Sequence, residues 1–186
     1  FSLRVNHYTT VYNFATRGTV AQFDENYSRH EILYVDYQEM LTRFMTRFHA
    51  DSRWSDMELF SKIVKWWRLY RVISRYCMKT FAYVSRFYVS HWSKMPLPQV
   101  AMSIFLEQLF RKHEGVVRST ILDLVQKERR GETTDREMVQ SAIEMYAAMG
   151  IDNLNTIYTD HFLTPYVQAA SEYYRKESVL WASTDS

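Results

Sequence analysis

The residues that could carry out chemistry in this chain are few and scattered. No two of its six histidines have the i, i+4 spacing that would place two metal ligands on one helix face. The only cysteine, Cys77, falls on one apolar stripe with Phe81, Val84 and Tyr88, which indicates a buried thiol rather than a nucleophile. We therefore predict no catalytic residue, no metal site and no cofactor. The histidines are His7, His30, His49, His91, His113 and His161.

Sequence patterns that bind phosphate or zinc are also absent, including G-x-x-x-x-G-K-[ST], G-x-G-x-x-G and H-E-x-x-H. Residues 65–75 (KWWRLYRVISR) interleave cations with aromatic rings, as some surfaces that stack nucleic-acid bases do. The net charge of only +2 disfavours nucleic-acid binding. No apolar run approaches 18 residues, so we expect no membrane partner. With one cysteine, no intrachain disulfide is possible, and a reducing compartment such as the cytoplasm and nucleus is expected.

The composition favours an all-helical protein. Gly (4) and Pro (3) are scarce, whereas all-β folds use many turns built from these residues. Aromatic residues make up 16% of the chain, which fits either an aromatic core or an interface rich in tyrosine. The prolines at 96 and 98 mark residues 91–99 as a boundary between two helical halves. Two such halves permit a solenoid of helical repeats.

Apolar periodicity and capping residues predict the individual helices. Ser55 is predicted as an N-cap, residues 112–115 as a turn, and Gly131 as the residue that ends a helix. Residues 134–137 have the capping-box pattern. Gly150 is predicted to end a helix, and Pro165 to kink the last one. The predicted helices cover residues 2–16, 30–49, 57–90, 100–112, a stretch ending before 128–131, 138–149 and 155–181, with a loop over 17–29.

The first predicted helix has two apolar stripes about 120° apart, so it packs on two surfaces. Both surfaces could belong to the core, or one could belong to a partner. One stripe holds Val5, Tyr8, Tyr12 and Ala15, and the other holds Leu3, His7, Val11 and Phe14.

Four segments, in the right order, resemble the N-terminal region of cullins, the scaffolds of multi-subunit ubiquitin ligases. Residues 116–132 (VVRSTILDLVQKERRGE) end in an E-R-x-G-E turn like that of the family, and residues 157–178 are similar to a cullin helix ending in F-Y-x-x-E-S. Residues 67–89 resemble a helix pair with an early Trp and a late Y-L-D-R-x-Y-V, here YVSRFYV. Residues 8–16 (YTTVYNFAT) are most similar to the cullin of SCF-type ligases.

The resemblance implies an all-α fold, an elongated stack of helical cullin repeats with one five-helix repeat and part of a second. Residues 1–95 would form the first repeat and residues 96–186 part of the second. In the family, two helices at the tip of the first repeat bind an adaptor of the BTB/POZ fold. The positions that the resemblance assigns to this surface are Arg4, Val5, Tyr8, Tyr12, Tyr83 and Arg86. The alternative is that Tyr8 and Tyr12 are core residues and Arg86 a solvated charge.

The resemblance also implies a non-catalytic scaffold of a cullin-RING ubiquitin ligase. Its adaptor, of the SCF type, would carry a substrate receptor such as an F-box protein. The RING subunit and the lysine that accepts the ubiquitin-like modifier belong to the C-terminal region in the family, so the RING subunit is expected to bind only there. The alternative function is a helical scaffold of another multi-subunit assembly, such as a tethering or cell-cycle complex.

Overall fold

The computed structural model describes the backbone of residues 2–17, 23–149 and 155–184 and the side chains of residues 6–17, 29–149 and 157–183. The described ranges consist of helices joined by turns and irregular segments and contain no strand, so the predicted all-α fold is confirmed. None of the described helices is long and apolar enough to span a membrane. The helices are α1 (Ser2–Thr16), α2 (Phe23–Met45), α3 (Asp56–Thr80), α4 (Ala82–Val84), α5 (Leu97–Phe105), α6 (Arg111–Arg129), α7 (Arg136–Met149), α8 (Asn155–Tyr158) and α9 (Thr164–Thr184).

Within the described ranges, three segments are π-helical turns: Ser85–Val89 follows α4, Leu106–Phe110 joins α5 to α6, and Thr159–Leu163 joins α8 to α9. The chain divides into two compact units, one formed by Phe1–Asp51 and Lys65–Lys112 and the other by Ser52–Val64 and His113–Ser186. These units do not coincide with the predicted repeats, 1–95 and 96–186, because α5 belongs to the first unit. The assignment of the repeats stays a prediction.

The core of the first unit is built around buried aromatic residues of α2, α3 and α5. The Tyr37 hydroxyl donates to the Leu97 carbonyl at 3.0 Å, and the Tyr70 hydroxyl donates to the Ala101 carbonyl at 2.6 Å. The Trp67 ring lies 4.8 Å from that of Phe105. Each tyrosine ring therefore adds apolar area to the core, while its hydroxyl is hydrogen-bonded to a backbone carbonyl. Burial raises the pKa of Tyr37 and Tyr70 far above the usual value of 10.

The second unit is organised in the same way around Tyr146 of α7. Its hydroxyl donates to Glu114 Oε1 at 3.1 Å, and its ring stacks on Phe162 with centroids 5.0 Å apart. The Glu114 carboxylate also pairs with Arg118 at 3.3 Å, so the buried phenol and the carboxylate both have partners. Burial, followed by the nearby Glu114 charge, raises the pKa of Tyr146.

Two predicted helix ends are confirmed. Ser55 caps α3: its Oγ accepts from the Glu58 N–H at 3.3 Å, and the Glu58 carboxylate accepts from the Ser55 N–H at 2.8 Å. Gly131 follows α6 with φ of +84°, a conformation that glycine adopts without a Cβ clash.

Two local predictions are wrong. Residues 112–115 do not form a turn, because the π-helical turn runs directly into α6 and Gly115 lies inside that helix. The apolar stripe that follows Gly115 offsets the small helix penalty of one glycine. The capping box at 134–137 is displaced by one residue: α7 begins at Arg136, and Asp135 Oδ1 accepts from the Met138 N–H at 3.0 Å. Asp is as good an N-cap as Thr, and Thr134 instead donates to Glu128 at 3.5 Å.

Other helix boundaries shift. The predicted loop over 17–29 is too long, because α2 begins at Phe23, and α2 ends at Met45 rather than at 49. The long pattern over 57–90 breaks at Phe81. Pro165 lies in the first turn of α9, directly after a π-helical turn, where its missing N–H is tolerated. The predicted stop at Gly150 lies outside the described residues.

Candidate protein-interaction surface

Within the parts of the chain that the structure describes, no three His, Cys, Asp or Glu side chains are grouped so as to hold a metal ion. Cys77 is buried, as predicted, and burial raises the pKa of its thiol. A raised pKa leaves less of the reactive thiolate at neutral pH.

Five rings from three parts of the first unit meet in one group, which we name the aromatic cluster: Tyr8 and Tyr12 of α1, His30 of α2, Tyr83 of α4 and Phe87 of the following π-helical turn. The Tyr8 and Tyr12 rings stack with centroids 6.3 Å apart, and Tyr12 meets the Tyr83 ring edge-on at 5.1 Å. Tyr83 also lies 4.6 Å from Phe87 and stacks on His30 at 5.9 Å.

The outer members of the aromatic cluster are accessible to solvent. Tyr8 is 38% exposed, Tyr12 41% and Phe87 52%, whereas Tyr83 is half-buried between them. Burial is the largest cause that raises the pKa of Tyr83, so its phenol is neutral at physiological pH. The cluster thus presents partly desolvated aromatic faces, which gain from being covered by a second apolar surface.

Buried and paired groups hold the base of the cluster. The other stacking partner of His30 is the buried Tyr88 ring, 5.9 Å away and nearly parallel. Lys94 Nζ lies 5.8 Å from the Tyr88 centroid and pairs with Glu31 at 3.1 Å. The Tyr34 hydroxyl donates to the Met95 carbonyl at 2.9 Å. These contacts fix α2 against the segment that carries Tyr83 and Phe87.

Helix α1 is anchored by three residues spaced four positions apart, His7, Val11 and Ala15. Val11 and Ala15 are buried, and His7 Nδ1 is hydrogen-bonded to the Tyr76 hydroxyl at 2.6 Å. His7 and Val11 belong to one predicted stripe, and the buried Ala15 belongs to the other. Phe14, the remaining member of the stripe with His7 and Val11 on this part of the helix, is 42% exposed. A helix that packs on one side through His7, Val11 and Ala15 leaves Tyr8 and Tyr12 on a neighbouring, accessible side.

Of the six predicted site residues, the structure brings three together, Tyr8, Tyr12 and Tyr83. Arg86 is exposed in the adjoining π-helical turn and forms no ion pair with any residue whose side chain is described. Arg4 and Val5 belong to the backbone of α1, but their side chains lie outside the described residues.

Two members of the cluster were not predicted from the sequence. Phe87 stands four residues after Tyr83, a spacing that places both on one side of a helix and could have identified it. His30 is the first residue of the helix predicted over 30–49, and its position beside Tyr83 depends on how α2 packs.

A family model described as the Cullin alpha solenoid domain matches residues 4–186 of the chain. Cullin-1 of Oryza sativa subsp. japonica is 26% identical over 150 residues, which are 80% of this chain and 19% of the relative. Cullin-2 of Arabidopsis thaliana is 26% identical over 184 residues, 98% of this chain and 24% of the relative. Cullin-3A of the same plant is 32% identical over 98 residues, 52% of this chain and 13% of the relative.

The chain therefore spans about a quarter or less of the length of these three relatives. The match to the family model, in contrast, covers this chain almost from end to end. The protein belongs to the cullin family.

Proposed function

We propose that this chain is the adaptor-binding region of a cullin that acts as a non-catalytic scaffold of a ubiquitin ligase. Its aromatic cluster, with Arg86 at the side, would bind a BTB/POZ-fold adaptor of the SCF type. That adaptor would carry a substrate receptor such as an F-box protein. The observation that supports the proposal most is the stacking of Tyr8, Tyr12 and Tyr83 into one accessible surface.

The chemistry of the cluster suits a protein partner. Tyrosine has only two rotatable side-chain bonds, so covering it buries much area at a small cost in conformational entropy. Tyr and Arg are also the residue types that most often dominate the energy of protein interfaces. The rings already stack on one another, so part of the ordering cost of binding is met before a partner arrives.

The position of Arg86 adds a charge to this surface. Its guanidinium is exposed three residues after Tyr83, in the same stretch as Phe87. A cation at the edge of an apolar patch steers an acidic partner and restricts the orientation in which it docks. The adaptor surface expected here is apolar at its centre with a carboxylate at its edge.

A scaffold of this kind acts by position. Holding a substrate receptor at one site and a charged carrier enzyme at another raises the effective concentration of substrate at the carrier. No catalytic residue in this chain is needed for that effect. The carrier and its RING subunit would be held by other parts of the full-length protein.

The proposal is tested by affinity purification of the tagged chain from its source cell, followed by mass spectrometry. The wild-type chain should retain a BTB/POZ-fold adaptor together with substrate receptors. A Tyr8→Ala, Tyr12→Ala double variant should lose both, and a Tyr174→Ala variant, altered at an exposed tyrosine of α9, should keep them. Recovery of vesicle-tethering subunits by all three proteins, without an adaptor, would overturn the proposal.

A further inference from the structure

The charge of this chain is unevenly distributed. From Leu59 to Leu106 the sequence contains eight Lys or Arg residues and not one Asp or Glu. The whole chain has a net charge of only +2, so the rest of it is acidic. Most of these cations lie on α3, whose acidic residues, Asp56 and Glu58, are confined to its first turn.

The cations of α3 share one solvent-facing side. At 100° per residue, positions 65, 68, 69, 72, 75 and 79 fall within an arc of about 120°, and they extend about 21 Å along the helix axis. The buried side of α3, with Trp67, Tyr70 and Cys77, points the other way. We name this exposed strip the basic ridge: Lys65, Arg68, Leu69, Val72, Arg75 and Lys79, all of which are exposed.

Two features show that the basic ridge is more than a solvated helix face. Leu69 is 44% exposed and Val72 is 65% exposed, so apolar surface lies beside the cations. Lys65, Arg75 and Lys79 have no acidic partner within the portion of the chain that the structure describes.

Acidic groups of α2 lie beside α3. Asp36 and Glu39 line a groove of about 490 Å³ together with Ile73, which neighbours Leu69 at the edge of the basic ridge. Glu39 is already paired with Arg43 at 2.9 Å. Among the described side chains, the charges of Lys65, Arg75 and Lys79 therefore stay without an acidic partner and are available to a group outside the chain.

We infer that the basic ridge binds an acidic amphipathic helix of a partner protein. Five of its positions recur in alternating steps of three and four residues and so form one line along which a second helix can lie, namely 65, 68, 72, 75 and 79. Leu69 and Val72 would meet the apolar side of the partner helix, and carboxylates on its flanks would pair with Lys65, Arg75 and Lys79. This surface is distinct from the aromatic cluster and does not depend on the function proposed for it.

A protein helix fits the ridge better than nucleic acid does. A phosphate backbone offers no apolar surface to cover Leu69 and Val72, and the ridge itself carries no aromatic ring on which a base could stack. The rings that the sequence interleaves with these cations are directed elsewhere. Trp67 and Tyr70 are buried, the half-buried Trp66 stacks on Phe44 with centroids 4.9 Å apart, and Tyr76 is hydrogen-bonded to His7.

The test uses a fluorescein-labelled peptide of about 20 residues, enough to span the ridge, with Leu along one side and Glu on both flanks. Its affinity for the chain is measured by fluorescence anisotropy at several salt concentrations. The Lys65→Glu, Arg75→Glu, Lys79→Glu triple variant should bind it at least about tenfold more weakly. Val72→Ser alone should weaken binding about threefold or more.

A matched control changes the net charge equally at exposed cations elsewhere, Lys112→Glu, Arg130→Glu and Lys176→Glu. This control and Tyr8→Ala should bind the peptide within about twofold of the wild-type chain. Circular dichroism melts establish that each variant is folded.

Three results would overturn the inference. If both triple variants weakened peptide binding equally, the effect would come from the net charge of the chain and not from the ridge. If a peptide of the same composition with dispersed leucines bound equally well, the ridge would not recognise the apolar side of a helix. Tighter binding of duplex DNA than of the peptide, lost in the ridge variant, would assign the surface to nucleic acid instead.

Discussion

Gly131 is the residue with the clearest backbone requirement. It has φ of +84° after α6, and its N–H donates to the Glu128 carbonyl at 2.9 Å. A β-branched side chain is strained in this conformation, so Gly131→Val should lower the free energy of unfolding by about 1–2 kcal/mol. Urea denaturation measures this, and adaptor affinity of the folded fraction should stay nearly unchanged.

Gly115 provides the matched control. It lies inside α6, and a Cβ built on it would meet no atom within 4 Å. Gly115→Ala should therefore raise the free energy of unfolding by about 0.5–1 kcal/mol, through the higher helix propensity of alanine. If both substitutions destabilised the protein equally, the distinction between a turn glycine and a helical one would be wrong.

Glu58 should make the start of α3 sensitive to acid. Its hydrogen bonds from the Ser55 N–H, then from the Ser55 hydroxyl, lower the pKa of its carboxyl below the ordinary value of about 4.5. A lowered pKa gives stability that is present above pH 4.5 and lost as the pH falls through the folded-state pKa.

The stability difference between the wild-type protein and Glu58→Gln should therefore shrink when thermal melts are compared between pH 7 and pH values below 4. Glu137→Gln, at an exposed acid in the first turn of α7, is the control for loss of a carboxylate near a helix start. A difference that stayed constant across the pH range would contradict the role of the ionised Glu58.

Arg86 is expected to act through charge at the edge of the aromatic cluster. Because it is exposed, Arg86→Ala should weaken adaptor binding by at most about 1 kcal/mol, mainly through a slower association rate. Surface plasmon resonance at low and high salt measures the affinity and the association rate. Arg47→Ala, at an exposed arginine beyond the far end of α2, should leave the rate unchanged. A loss of several kcal/mol would instead indicate a buried ion pair with the adaptor.

Residue types that impose a local conformation could be predicted from the sequence. The helix end at Gly131 and the N-cap at Ser55 are predicted because positive φ and N-cap chemistry depend on a few neighbouring positions, whereas the reciprocal hydrogen bond of Glu58 is a finding of the structure. His30 was missed as a member of the aromatic cluster, because its stacking on Tyr83 and Tyr88 depends on contacts between distant segments.

At the scale of single helices, two adjacent residues, Thr134 and Asp135, are candidates for the N-cap of α7. Asp135 accepts the Met138 N–H, so Asp135→Ala should lower the free energy of unfolding by about 1 kcal/mol. Thr134→Ala should cost less, because Thr134 only donates weakly to Glu128 at 3.5 Å. Chemical denaturation of the two variants measures the difference. A larger loss from Thr134→Ala would favour the capping box predicted from the sequence.

Helix continuity was harder to predict than helix existence. The predicted turn over 112–115 relied on Gly115, yet one glycine costs a helix only about 1 kcal/mol, and packing of Val117 and Ile121 outweighs it. The three π-helical turns have no sequence pattern comparable to a capping box. Two of them, at Ser85–Val89 and Thr159–Leu163, follow short helices, where few hydrogen bonds fix the register.

At the scale of the whole molecule, composition predicted the all-α class because scarce Gly and Pro leave few places for turns. The meeting of Tyr12 with Tyr83, 71 positions apart, could not be worked out from spacing. The resemblance to cullins predicted that these residues share a surface, and the packing of α1 against α4 brings them to 5.1 Å. Adaptor binding at this surface stays a proposal.

The central claim is that the aromatic cluster is the adaptor-binding surface. Isothermal titration calorimetry of the chain against a purified BTB/POZ-fold adaptor, bound to its receptor, tests it most directly. Tyr8→Ala should weaken binding by about 2 kcal/mol or more, roughly thirtyfold, because an anchoring ring is lost from an apolar contact. Tyr174→Ala, at a tyrosine that is 59% exposed on α9, should change the affinity by less than about twofold. Full affinity in the Tyr8→Ala variant, or a loss that only follows its drop in melting temperature, would contradict the claim.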